Sequence, residues 1–256
     1  MKKNLFIVFV MKNRALIVFA ALTLMMVFVV SCNKPDVPNQ NGYNVEENDS
    51  IVDHSGSLNG HDYIDLGLPS GLLWAACNVG ADSPEDFGGY FAWGETTPKD
   101  LYDWKSYRYG NYERCELNKY CTDSVYGLDG FVDNLTVLEF VDDAASVNWG
   151  ADWRMPDREE YEELFQYTTF VWTTQNGVDG RLLTGPNGNS IFLPATGFRL
   201  GDELIGPGLG IYWSSTLHTG CTERGWSFHF DFENCHVCGT YERCRGQVVR
   251  AVRSKN

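Results

Sequence analysis

The chain of 256 residues carries 34 acidic against 20 basic side chains, a formal net charge of −14, and is 43% hydrophobic. A surface this acidic repels polyanions, which excludes nucleic acid as a partner. The hydrophobic share suffices for a packed core, which excludes a wholly disordered chain.

Lys12 and Arg14 precede an apolar run from Ala15 to Val30, closed by Ser31 and then Cys32-Asn33-Lys34-Pro35. A basic start, an apolar stretch and a small residue before the break form the pattern of a secretory signal peptide, here residues 1–31. The run approaches the length of a membrane span, so the choice rests on Val29-Val30-Ser31-Cys32. That tetrapeptide resembles a bacterial lipobox, which implies lipid on Cys32 and a mature protein held to a membrane by its acyl chains. Cleavage removes four basic residues and no acidic one, taking the net charge to −18. Residues 32–59 are polar, with Asn, Asp, Glu, Pro, Ser and Gly predominating, and read as a flexible tether. Residues 60–256 are enough for one domain with a good core.

The predicted elements of that domain are mostly strands. Tyr63 to Leu66 and Leu72 to Cys77 form a hairpin around Gly67-Leu68-Pro69-Ser70-Gly71, and Tyr90 to Trp93 reads as another short strand. Six aromatic residues between Leu101 and Tyr120 are read as covering a loop-rich layer, with stacking on sugar rings as the rival use. A weak helix is expected from Val137 to Val147. A stronger one opens at Asp157, an N-cap with Glu160 three residues on and Tyr161, Leu164 and Phe165 at helical spacing. Six further strands follow: Phe170 to Thr174, Arg181 to Thr184, Ser190 to Leu193, Tyr212 to Thr216, Trp226 to Phe230 and Val248 to Val252. Turns are marked by Gln175-Asn176-Gly177 and Gly185-Pro186-Asn187-Gly188. Two helices among short, mostly antiparallel strands predict the α+β class.

Export gives the cysteines meaning, because disulfides persist outside the cytosol. With Cys32 lipidated, seven remain, an odd number. Cys115 and Cys121 flank a short loop and are expected to be joined. Cys235-His236-Val237-Cys238 has the spacing of a small zinc knuckle, but structural zinc is commonest in reducing compartments, and no metal is assigned. His-Glu-x-x-His, Gly-x-Ser-x-Gly and phosphate-cradling motifs are absent from the sequence. The paired acids Asp142-Asp143 and Glu159-Glu160 read as solvated helix faces, so no catalytic residue and no cofactor are assigned.

The run Gly60-His61-Asp62-Tyr63-Ile64-Asp65-Leu66-Gly67-Leu68-Pro69-Ser70-Gly71-Leu72-Leu73-Trp74-Ala75, with Cys77-Asn78-Val79-Gly80-Ala81 and Gly89-Tyr90-Phe91-Ala92-Trp93-Gly94-Glu95, closely resembles the Fibrobacter succinogenes major paralogous domain. So do Asn148-Trp149-Gly150, Trp153-Arg154-Met155-Pro156, Ile191-Phe192-Leu193-Pro194-Ala195, Tyr212-Trp213-Ser214-Ser215 and Val249-Arg250-Ala251-Val252. That family is similar to the C-type lectin superfamily, in the branch holding formylglycine-generating enzymes. The resemblance implies a C-type lectin-like fold with first and last strands paired and an irregular ligand-facing layer near the C-terminus. Two patterns depart from it. The Glu-Pro-Asn or Gln-Pro-Asp and Trp-Asn-Asp signatures of calcium-dependent sugar binding are missing, and Cys235 with Cys238 is a weak substitute for the cysteine pair of the enzymes.

Within the C-terminal segment, Trp226, Phe228 and Phe230 alternate with Ser227, His229 and Asp231, which predicts one face packed inward and one displayed. The residues around them, His218, Thr219, Cys221, Arg224, His236, Cys238, Thr240, Tyr241, Cys244 and Arg245, resemble the variable region of C-type lectin proteins diversified by retroelements. An ordinary divergent loop is the alternative. The expected function is an outer-membrane lipoprotein, on its surface or periplasmic face, whose domain binds a protein or glycan through His229, His236, Tyr241 and Arg245. The rivals are an exported enzyme or accessory of the sulfatase-modifying type and a structural subunit of a surface appendage.

Overall fold

A computed structural model describes residues 54–112 and 116–255. The stretch read as a signal peptide, Cys32, most of the stretch read as a tether, and Cys115 lie outside those residues. The described part is α+β, with twelve strands and two α-helices among its elements. No helix among the described residues is long and apolar enough to cross a membrane.

Strands β1 (Gly56–Leu58), β2 (His61–Asp65) and β3 (Leu73–Asn78) form an antiparallel meander, and the last strand, β12 (Arg250–Arg253), pairs with β3. The first and last strands thus lie in one sheet, but the expected pairing between them does not form: β12 pairs with the third strand. β1 falls within the stretch read as tether, so strand pairing begins before Gly60. The segment expected to be a strand from Tyr90 to Trp93 makes a single bridge, Phe91 with Gln247.

The weak helix breaks into pieces. Val137 bridges Thr216, Phe140–Asp142 forms one 3-10 turn, and helix α1 is Ala144–Trp149. The reason lies in the two carboxylates that precede it. Asp142 turns inward to accept from Lys119 Nζ (2.6 Å) and Tyr120 Oη (2.6 Å), and from Tyr109 Oη. Asp143 caps α1 through Ser146 N–H (2.9 Å) and accepts from Met155 N–H (2.8 Å) with its other oxygen. Both acids are therefore buried structural groups rather than a solvated face.

Helix α2 (Arg158–Tyr167) starts as the sequence predicts. Asp157 accepts from Glu160 N–H (2.8 Å) while Glu160 accepts from Asp157 N–H (2.9 Å). It ends at Thr168, whose hydroxyl donates to the Leu164 carbonyl (2.6 Å). Tyr161 and Leu164 face inward, with Tyr161 stacked on Phe228 at 5.0 Å between ring centres.

Strands β4 (Thr169–Gln175), β5 (Val178–Thr184) and β6 (Ser190–Pro194) follow as a regular antiparallel sheet. Asn176 and Gly177 both have positive φ, 49° and 84°, as a tight hairpin turn requires. A short hairpin that the sequence pattern does not announce comes next, β7 (Phe198–Leu200) with β8 (Glu203–Ile205). Strands β9 (Gly210–Leu217), β10 (Arg224–Phe230) and β11 (Cys235–Glu242) complete the fold as a sheet ordered β11-β10-β9.

The core has two parts. One gathers Trp93, Trp153, Trp213, Tyr107 and Tyr120; the other gathers Trp74, Tyr161, Tyr212, Phe228 and Phe230. Two fully buried arginines knit the loops to these cores. Arg250 donates to Asn78 Oδ1 (2.9 Å) and to the carbonyls of Ala75 (3.0 Å), Ala76 (2.6 Å) and Phe192 (2.9 Å). Arg243 donates to Tyr107 Oη (2.8 Å) and to the carbonyls of Tyr120, Thr222 and Lys119. Backbone carbonyls, one side-chain amide and one phenol in place of carboxylates let each guanidinium lose water without losing hydrogen bonds.

Candidate functional site

The C-terminal sheet builds its face through a bulge. Ser227 pairs with Gly239 and His229 with His236, so two steps along β10 span three along β11. Side chains alternate with period two, and His236 and Tyr241 are five positions apart. A regular strand would send them to opposite faces. The extra residue restores them to one face, where both lie with His229.

The resulting cluster is compact and half-buried. The His229 and His236 rings are 4.9 Å apart, and Tyr241 meets His229 edge-on at 6.5 Å. Phe198 of β7 packs against Tyr241 at 5.4 Å, and the Arg245 guanidinium stands 5.2 Å from the Phe198 ring and 5.8 Å from the Tyr241 ring. Glu242 fixes Arg245 through both Nε (3.1 Å) and Nη2 (2.8 Å). The four residues singled out from sequence are therefore neighbours, and Phe198 is a fifth member that the unrecognised β7–β8 hairpin supplies.

His229 is the most constrained of them. A Cβ on Gly239 would fall 2.2 Å from His229 Nδ1, so only glycine leaves room for the imidazole to lie across the strand. Nδ1 is buried there without a hydrogen-bond partner. Burial, reinforced by the nearby His236 and opposed by Asp231, pushes the imidazole down to about 4, so it is neutral at physiological pH. Burial also raises the Tyr241 phenol, against the pull of Arg245.

Several expectations for this segment are corrected. Ser227 is not displayed; it is 1% exposed, and its hydroxyl donates to Gln247 Oε1 (2.8 Å). Trp226 is not a core residue but half-buried, with the Arg158 guanidinium 4.1 Å above it and His218 at 4.9 Å. A second register shift, between Gly225 and Ser227 on the β9 side, breaks the alternation there. Cys244, grouped with the displayed residues, is 2% exposed, and burial pushes its thiol up to about 12. That leaves it unreactive.

Cys121 is a buried free thiol whose Sγ lies 3.2 Å from the Asp123 carbonyl, while its expected partner Cys115 lies outside the described residues. Of the six aromatics between Leu101 and Tyr120, Tyr102, Tyr107, Tyr109 and Tyr120 are buried, Trp104 is half-buried and Tyr112 is exposed, so most of this stretch is a core layer. No group of three or more metal-binding side chains gathers among the described residues. Comparison with protein-family models, with curated proteins and with solved structures finds no match to this chain.

Proposed function

We propose that this chain is a lipoprotein, anchored to the outer membrane through Cys32, whose C-type lectin-like domain binds a protein or glycan ligand on the β10–β11 face. The single observation that carries the reading is the bulge in β11. It sacrifices ladder regularity and places His229, His236 and Tyr241 on one half-buried face beside Arg245. Bulges re-aim side chains where function needs them, and tyrosine and arginine dominate binding surfaces. The presence of β12 in the same sheet as β1, β2 and β3 supports the C-type lectin-like reading, although its partner there is β3 and not the first strand. Diversification, where it operates, is confined by packing to the surface members of the segment, because Arg243 and Cys244 are buried.

The test begins with a glycan array and a pull-down against host and bacterial surface proteins. For the ligand found, Tyr241→Ala and Arg245→Ala should each weaken binding by about 1 kcal/mol or more, roughly fivefold, with little change in melting temperature. A ligand whose affinity is untouched by either change would remove the face as the binding site. Loss of palmitate labelling in Cys32→Ala checks the anchor separately.

A further inference from the structure

Strand β4 ends the β4–β5–β6 sheet, and no strand among the described residues pairs with its outer side. Two features fix where its backbone groups point. The Asn176-Gly177 turn has two residues, so Gln175 and Val178 close it as a hydrogen-bonded pair. Ala195 N–H donates to the Asp179 carbonyl (2.8 Å), so Asp179 faces β6 and the residues on either side of it face β4. Thr169, Val171, Thr173 and Gln175 therefore bond to β5, and the N–H and C=O groups of Trp172 and Thr174 point away from the sheet. Among the described residues nothing bonds to the backbone of those two on that side.

The edge lacks the devices that ordinarily keep strands apart. Thr169-Phe170-Val171-Trp172-Thr173-Thr174-Gln175 carries no charge and no proline, and its register with β5 has no bulge. Apolar surface flanks it: Val171 is 56% exposed, and Phe232, edge-on to the Trp172 ring at 5.9 Å, is 68% exposed. The opposite edge of the same sheet is engaged by the domain itself, because Arg250 donates to the Phe192 carbonyl of β6 (2.9 Å).

We infer that β4 pairs antiparallel with β4 of a second copy of this chain, about a two-fold axis at Trp172. The strand's own order of residues favours this occupant. Trp172 faces its equivalent, and since its N–H and C=O both point outward, the two residues exchange a pair of hydrogen bonds. Val171 falls opposite the copy's Thr173, a β-branched pair in the closer, non-hydrogen-bonded position, and Phe170 falls opposite the copy's Thr174. No like charges meet, although the chain as a whole carries 34 acidic residues. A charged strand from another protein would find no counter-charge on β4. The contact is isologous and joins two three-stranded sheets into one of six strands, with β6 at both ends, so it closes as a dimer and does not propagate as a fibre. One strand pair is small beside the roughly 1,200 Å2 of a standard interface, so the dimer is weak in solution. Copies anchored to one membrane would meet at a higher effective concentration. The inference goes beyond the ligand-binding reading and does not depend on it.

The experiment is sedimentation equilibrium of the full-length chain in density-matched detergent, with disulfide trapping to read the register. The wild-type chain should dimerise with a Kd of roughly 10 to 100 μM. Oxidation of a mixture of Val171→Cys and Thr173→Cys chains should join those two positions between copies, while Val171→Cys alone should not join to itself. Val171→Lys combined with Thr173→Lys sets lysines directly opposite one another and should raise the Kd about tenfold or more at unchanged melting temperature. Adding chains with Val171→Glu and Thr173→Glu should restore pairing as a heterodimer. A chain that is monomeric throughout, a dimer indifferent to the lysines, or trapping of position 171 to itself would overturn the assignment. A monomer that dimerises only after residues 33–53 are deleted would also overturn it, by making the chain's own N-terminal segment the occupant of the edge. If the lysine variant fails to fold, the cysteine trapping still decides the register.

Discussion

The β4–β5–β6 sheet and the β9–β10–β11 sheet are each built from three strands, by opposite rules. In the first, the register runs unbroken from Thr169 opposite Thr184 to Gln175 opposite Val178, and again from Gly180 opposite Pro194 to Thr184 opposite Ser190. In the second, β10 meets a register shift on each side, one toward β9 and one toward β11. Regular alternation assigns faces by counting; bulges reassign them locally. The two sheets also depend on each other, because Arg181 of β5 donates to the carbonyls of Asp231 and Phe232 in the turn that joins β10 to β11. The regular sheet thereby braces the irregular one that carries the candidate face.

The sharpest way to break this comparison is to truncate neighbouring aromatics of β10. Phe228→Ala should cost about 3 to 5 kcal/mol in chemical denaturation, as a fully buried aromatic does. Trp226→Ala, two positions away and stacked under Arg158 near the surface, should cost only about 1 to 2 kcal/mol. Equal losses would mean that the inward face continues through the shift and that Trp226 belongs to the core after all.

A smaller effect concerns pH. The folded His229 titrates near 4, below its ordinary value of about 6.5, so the unfolded chain takes up a proton that the folded one refuses. Stability from this group is complete above pH 6.5 and is lost as pH falls toward 4, by about 2 to 3 kcal/mol. His229→Gln should flatten that part of the stability profile. The β4–β5–β6 sheet contains no histidine, so its amide protection should weaken over that pH range only in step with global unfolding. A slope unchanged by the substitution would place the titrating group elsewhere.

The smallest expected contrast is between two glycines. Gly239→Ala collides with His229 and should cost about 1 to 3 kcal/mol while displacing the imidazole resonances. Gly177→Ala at the β4–β5 turn meets open space and suffers only its positive φ, about 1 kcal/mol, with no change at the distant face. Undisturbed His229 signals in Gly239→Ala would show that the close packing described here is absent in solution.

The sequence alone determined the α+β class, the capping box of α2, the β2–β3 hairpin and the Asn176-Gly177 turn. Each is written in contiguous residues whose backbone preferences act locally. It also singled out His229, His236, Tyr241 and Arg245, which the fold brings next to one another. It could not show β11, because Cys235-His236-Val237-Cys238-Gly239 carries an extra residue that destroys the period-two signal by which a strand is read. Nor could it show the β7–β8 hairpin, whose strands are three residues each and too short for any periodicity. The burial of Ser227, Arg243 and Cys244, the commitment of Asp142 and Asp143 to inner contacts, and the half-exposure of Trp226 were decided by tertiary packing. Which side chain enters the core past a bulge depends on partners far along the chain, such as Gln247 for Ser227 and Arg158 for Trp226, and no local pattern encodes them.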